Sequence, residues 1–139
     1  MTARELIEKQ LEESGYQFNA CLKDLTEENF EAKPVAVMMS LKEIVEHCME
    51  ACQAVITGVA GGKHDWGTFQ APALPMTQLI EHFNILRGQA VSAGLSKFDD
   101  EAHWLSDYLV LHETYHVGQM VAIRLTLDES WNFYSIYRH

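Results

Sequence analysis

Basic residues, cysteine and proline are all scarce in this 139-residue chain. Only 10 Lys and Arg stand against 20 Asp and Glu, for a formal charge of −10. No basic stripe is present, so the phosphate-neutralising surface of a nucleic-acid binder is excluded. Three cysteines, an odd count without framework spacing, match reduced thiols in a cytosol better than a disulfide scaffold. No apolar run approaches the roughly 20 residues of a membrane span. The first residues carry no apolar core of a secretory signal, which with the thiols leads to a cytoplasmic expectation. No strong alternating segment precedes the tail, and no repeat is visible. The three prolines are Pro34, Pro72 and Pro75, so no proline interrupts the chain after Pro75.

What is present is 47% hydrophobic and 22% charged, the profile of a globular protein. The length suits a single domain, residues 1–139. Thr2 with Glu5 and Ser40 with Glu43 read as capping boxes that open two helices. The first carries Leu6, Ile7, Leu11, Phe18, Cys21, Leu22 and Leu25 on its stripe, with Gly15 as a soft spot. A short turn at 26–30 and a break at Lys33-Pro34 follow. The second helix carries Ile44, Val45, His47, Cys48, Ala51, Cys52 and Val55, and Gly58, Gly61 and Gly62 end it. Residues 61–75 form the one clear loop. Thr77 is the expected N-cap of a third helix with Leu79, Ile80, Phe83 and Leu86 inward and Gly94 near its end. Asp99 and Asp100 suit the N-terminus of a fourth helix that runs to about Leu127. Four amphipathic helices without strands between them indicate an all-α fold, a four-helix bundle with an aromatic C-terminal tail, 131–137. That tail either covers a bundle end or forms a dimer contact.

The chemistry concentrates at 111–119, Leu-His-Glu-Thr-Tyr-His-Val-Gly-Gln. His112 and His116 are four apart and therefore stack on one helical face. Leu105, Tyr108, Leu109, Gln119, Met120, Ile123 and Leu127 share that face, so it points at the core. Two neutral imidazoles so placed can hold one divalent metal, and Gln119 can orient one of them. The plain alternative is a pair of core histidines in ordinary hydrogen bonds. A zinc or nickel site needs a third protein ligand. His47, on the inner side of the second helix, is the first choice and His82 the second. His64 belongs to the loop and reads as solvated, and His103 is too far along the helix from His112. Cys48 and Cys52, also four apart, leave a mixed site open, though two small buried hydrophobes are the favoured reading. Tyr16, Tyr108 and Tyr115 are further candidates for positioning ligands or handling protons.

One histidine on the second helix and a His-x-x-x-His-x-Gly-Gln motif on the fourth resemble the DinB-like family of bacterial four-helix metalloproteins. The resemblance follows helix order over nearly the whole chain, and only the last motif is specific. It implies a three-histidine site, His47, His112 and His116, for one zinc or nickel ion in an often dimeric bundle. Some relatives transfer low-molecular-weight thiols or use them in isomerisation. The expectation is accordingly a metal-binding protein that activates water or a thiol for attack on a small molecule, as a thiol S-transferase or a hydrolase. Its expected partners are a small molecule, such a thiol being one candidate, and a second copy of the chain, with neither nucleic acid nor membrane. The alternative is a non-catalytic metal-binding stress-response protein. His112-Glu113-Thr114-Tyr115-His116 also matches the helix of zinc proteases, in which the glutamate is the general base. Here that reading is disfavoured, because Gln119 and Ala122 replace the Gly and His a metzincin requires. Glu113 is instead expected at the surface or behind a ligand.

Overall fold

A computed structural model describes residues 1–138. Helices α1 (Ala3–Ala20), α2 (Glu27–Glu31), α3 (Leu41–Val59) and α4 (Met76–Ser96) come first. Short helices α5 (Phe98–Glu101) and α6 (His103–Leu105) then lead through a π-helical segment (Ser106–Leu111) into α7 (His112–Leu127). A 3-10 turn, Phe133–Ile136, lies in the tail. The described residues contain no strand. The four long helices α1, α3, α4 and α7 form a helical bundle, with α3 against α4 and α1 against α7. None of the helices is long and apolar enough to cross a membrane.

Local chemistry explains the helix starts. Thr2 and Ser40 each accept from the backbone N–H three residues on, while Glu5 and Glu43 reach back to the cap backbone. Both capping boxes form as the spacing predicts. At α4 the expectation fails, because Pro75 and not Thr77 is the cap residue. Glu27 on α2 supplies the acceptor instead, both carboxylate oxygens lying 3.1 Å from the Met76 N–H. A cap from a distant helix leaves no local sequence signal.

Other boundaries also move. Helix α1 stops at Ala20, and Cys21, Leu22 and Leu25 of its expected stripe lie beyond it, before and after Asp24 at φ 60°. Gly94 does not end α4. It lies buried inside, where a Cβ would come within 2.3 Å of Leu105, so a glycine there permits the close approach of α6. Asp99 and Asp100 sit in the first turn of α5 and make no side-chain cap. The last helix does end at Leu127.

The core contains Phe18, Phe30, Leu41, Met49, Leu79, Phe83 and Met120, all at most 1% exposed. Phe18 stacks on Phe83 at 4.8 Å between centroids and locks α1 to α4. The tail docks through Trp131, half-buried under the Arg124 guanidinium, and through buried Ile136. Phe133, Tyr134 and Tyr137 remain exposed.

Candidate metal centre

The site begins at a change of helical pitch. The six residues of the π-helical segment end at Leu111, immediately before His112. A π turn carries more residues than an α turn, so the phase of the helix shifts there, and such segments recur at functional sites. Leu105 and Leu109 still face the core before the shift, as do His116, Met120 and Ile123 after it.

His112 and His116 meet His47 of α3 across the bundle. His47 Nε2 lies 3.0 Å from His112 Nε2, and His116 Nε2 lies 3.0 Å from the same atom. The three ligand atoms all fall within 4.8 Å of one another, and no other described cluster of His, Cys, Asp or Glu comes as close to a ligand set. His116 is buried, and His47 and His112 are half-buried.

Proton bookkeeping decides what this cluster suits. Gln119 Nε2 donates to Tyr115 Oη at 3.1 Å, which leaves Gln119 Oε1 to accept from His116 Nδ1 at 2.7 Å. With its proton on Nδ1, neutral His116 turns a bare Nε2 lone pair to the centre. At most one proton then fits among three converging nitrogens. If His112 supplies it from Nε2, its Nδ1 is left a bare acceptor, buried with no donor at hydrogen-bond geometry and with only the Tyr108 carbonyl, itself an acceptor, acting on the ring nearby. A divalent cation resolves the conflict, because all three Nε2 atoms then donate lone pairs to it. At bond lengths near 2.0–2.1 Å, tetrahedral ligand nitrogens stand roughly 3.3 Å apart. Two of the three separations, at 3.0 Å, are close to that value, and the third is within 4.8 Å. The residues therefore fit a divalent metal. Burial, with His116 and His47 beside it, pushes the His112 pKa down to about 4. Burial likewise lowers that of His116, against the opposing effect of Gln119. Both rings are thus held neutral near pH 7, the state that binds metal.

A cleft of about 290 Å³ opens beside His47 and is lined by Met39, Glu43, Glu46, Glu50, Phe69 and Ala71. Over residues 10–120 the chain matches the DinB superfamily. It belongs to that superfamily. No curated protein and no solved structure matches it. Within the matched residues, the histidine of the second long helix and the pair on the last one lie together.

Behind the histidines lies a network that the sequence did not announce. Glu113 is 1% exposed, which rules out the surface and leaves the other expected place, behind the ligands. Arg87 of α4 grips its carboxylate with two hydrogen bonds, Nε to Oε2 at 2.7 Å and Nη2 to Oε1 at 3.0 Å. Ser14 Oγ of α1 donates to Oε1 at 3.0 Å, and Arg87 Nη2 also reaches the Leu11 carbonyl at 2.6 Å. Gly15 makes room for this arginine, since a Cβ there would stand 2.8 Å from Nη1. The network ties α1, α4 and α7 together one residue from His112. It also occupies the carboxylate that a zinc-protease mechanism would use as its base.

The remaining candidates are placed as follows. His82 is exposed on α4, outside the histidine cluster. Cys48 and Cys52 are buried thiols whose pKa values burial and then Glu113 drive upward, and neither joins the cluster. His103 is exposed. His64 is not simply solvated. Its Nε2 lies 3.0 Å from Glu50, and the same Glu50 oxygen accepts from the backbone of Gly67 and Phe69, which pins the loop beside the cleft. Tyr108 stacks between Trp104 at 4.8 Å and Trp66 at 6.2 Å. Tyr115 holds Gln119, whereas Tyr16 packs under Arg138 and takes no part in the cluster.

Proposed function

We propose that His47, His112 and His116 hold one divalent metal ion, zinc or nickel, and that the protein is an enzyme acting on a small molecule in the adjoining cleft. The observation that carries this reading is the set of three Nε2 atoms with no room for their protons, one of them fixed bare by Gln119. Three protein ligands leave a position open, and a metal so held lowers the pKa of bound water or thiol enough to supply a nucleophile near neutral pH.

The chain's own residues would divide the work. Gln119 and Tyr115 keep the His116 tautomer fixed. Met39 and Phe69 line the cleft with apolar surface for the body of a substrate. Glu50 is committed to His64 and the loop backbone, and Glu43 caps Ser40 and faces Lys33 at 3.5 Å. Glu46 has no ion-pair partner among the described residues, so it is the carboxylate free to take a proton in the cleft. Three carboxylates on one wall favour a neutral or cationic substrate over an anionic one. Cytoplasmic residence, a single folded unit and a homodimer built partly on the exposed tail aromatics complete the proposal.

The rival reading gives the metal a structural role only, tying α3 to α7 in a stress-response protein. A cobalt-loaded sample titrated with 2-mercaptoethanol separates the two. A saturable thiolate-to-cobalt absorption band, lost in His47→Ala, supports an open catalytic position. An unchanged spectrum assigns the metal to structure.

A further inference from the structure

A second cleft, of about 830 Å³, lies between α1, the end of α7 and the C-terminal tail. Its volume is within the usual range for small-molecule sites. No histidine lines it, and Arg124 stands eight residues beyond His116, about 12 Å further along the helix axis. It is therefore separate from the metal centre.

Arg124 decides its chemistry. The side chain is buried, only 6% of the residue being exposed. One guanidinium nitrogen, Nη1, donates to the Cys21 carbonyl at 2.8 Å, and the group lies 4.6 Å above the Trp131 ring. No carboxylate stands at ion-pair distance from it among the described residues. Asp24 and Asp128 act on it only from further away. A guanidinium has five donors in a planar fork. The remaining ones are not sealed in protein, because the one buried side-chain polar atom without a partner among the described residues is His112 Nδ1. They open on the cleft.

We propose that this cleft binds a small monocarboxylate with an apolar body, its carboxylate on the Arg124 guanidinium and its body against Trp131, Ile80 and Leu22. A planar carboxylate matches the fork with two parallel hydrogen bonds. The apolar side chains supply the contact area that a lone anion would not use. Asp24 and Asp128 line the same cleft, and Asp128 is kept ionised by hydrogen bonds from Ser130 Oγ and N–H. Lys23 and Arg124 on the same lining only balance these two carboxylates, and with the chain's charge of −10 the cleft lacks the excess positive charge that a polyanion such as a diphosphate needs.

The test is two-dimensional ¹H–¹⁵N NMR of the full chain, following the Arg124 side-chain Nε–H and the Trp131 indole N–H. Phenylacetate, phenylacetamide and pyrophosphate are titrated separately. Phenylacetate is expected to shift both signals saturably with a Kd of about 1 mM or tighter. The neutral amide should bind at least about tenfold more weakly, since it forfeits the charge-assisted pair. Arg124→Gln, read at the Trp131 indole signal alone, should abolish the shift. Because that variant also loses the Nη1 contact to the Cys21 carbonyl, which holds the fold there, Asp24→Asn at the exposed rim is the second arm. Asparagine tolerates the positive φ of that turn, and loss of a repelling charge should tighten phenylacetate roughly threefold. Absence of saturation, equal binding of the amide, tighter binding of pyrophosphate, or shifts centred on His112 and His116 would each overturn the proposal.

Discussion

Replacing Glu113 by alanine removes the carboxylate on which three helices converge. Two Arg87 hydrogen bonds at 2.7 and 3.0 Å and one from Ser14 at 3.0 Å are lost together. The guanidinium left behind keeps the Leu11 carbonyl but no counter-charge, and its side chain is 14% exposed. Breaking a buried pair from one side costs about 3–5 kcal/mol, because the surviving charge stays desolvated. The slight exposure of Arg87 puts the expected loss near the lower end, roughly 3 kcal/mol. Unfolding entropy of about 2.1 cal/mol/K per residue implies that each kcal/mol moves the midpoint of a chain this size by roughly 3–4 °C. The expected fall is therefore about 10 °C by thermal denaturation followed by circular dichroism. Replacing both partners, Arg87→Met with Glu113→Leu, should recover most of that loss, since no unpaired charge remains. Metal binding should persist in folded Glu113→Ala, because Glu113 belongs to the support behind the histidines. A loss below about 1 kcal/mol would refute the reasoning, as that is the range of an exposed ion pair.

Three further outcomes follow from the same geometry. Gln119→Leu should weaken metal binding by roughly 10- to 100-fold in a chelator competition, since His116 loses the acceptor that fixes its tautomer; unchanged affinity would show that Gln119 does no such work. Gly58→Ala should lower stability by about 1–3 kcal/mol in urea unfolding, despite the better helix propensity of alanine. Its Cβ would come within 2.2 Å of the Trp104 ring, so an unchanged midpoint would mean that the ring moves aside freely. Stability of the metal-free protein should fall as pH drops from about 6.5 towards 4. His112 titrates near 4 in the fold and at its ordinary 6.5 when unfolded, so across that window the unfolded chain binds the extra proton. Screening of the half-buried ring limits the effect to roughly 1–2 kcal/mol, and a flat profile in acid titration would contradict it.

The parts of this molecule legible in sequence are those written in short-range spacing. His112 and His116 share a face because four residues make about one turn. The capping boxes at Thr2 and Ser40 are three-residue signals, and both form. His47 was identifiable because it lies on the apolar side of its helix and at the family's position. Partnerships across the bundle carry no such mark. Arg87 and Glu113 are 26 residues apart, on helices whose relative rotation no local pattern states. Glu113 looks like an ordinary surface acid until Arg87 is seen to neutralise it. Glu50 with His64, and Glu27 with the start of α4, were hidden for the same reason. The π-helical segment escaped because Leu105, Leu109 and Met120 fit a regular helical stripe acceptably on their own. The burial of Arg124 beneath the tail likewise carries no local sequence signal.

The central claim is that three histidines of one DinB superfamily member form a metal site, and metal content tests it most directly. Elemental mass spectrometry on protein purified without chelator, then incubated with zinc or nickel and desalted, should find about one metal ion per chain. His47→Ala, His112→Ala and His116→Ala should each lose most of it while keeping the helical circular dichroism signal. Wild type without bound metal, or three variants that retain it fully, would contradict the account and return these histidines to the role of packing residues.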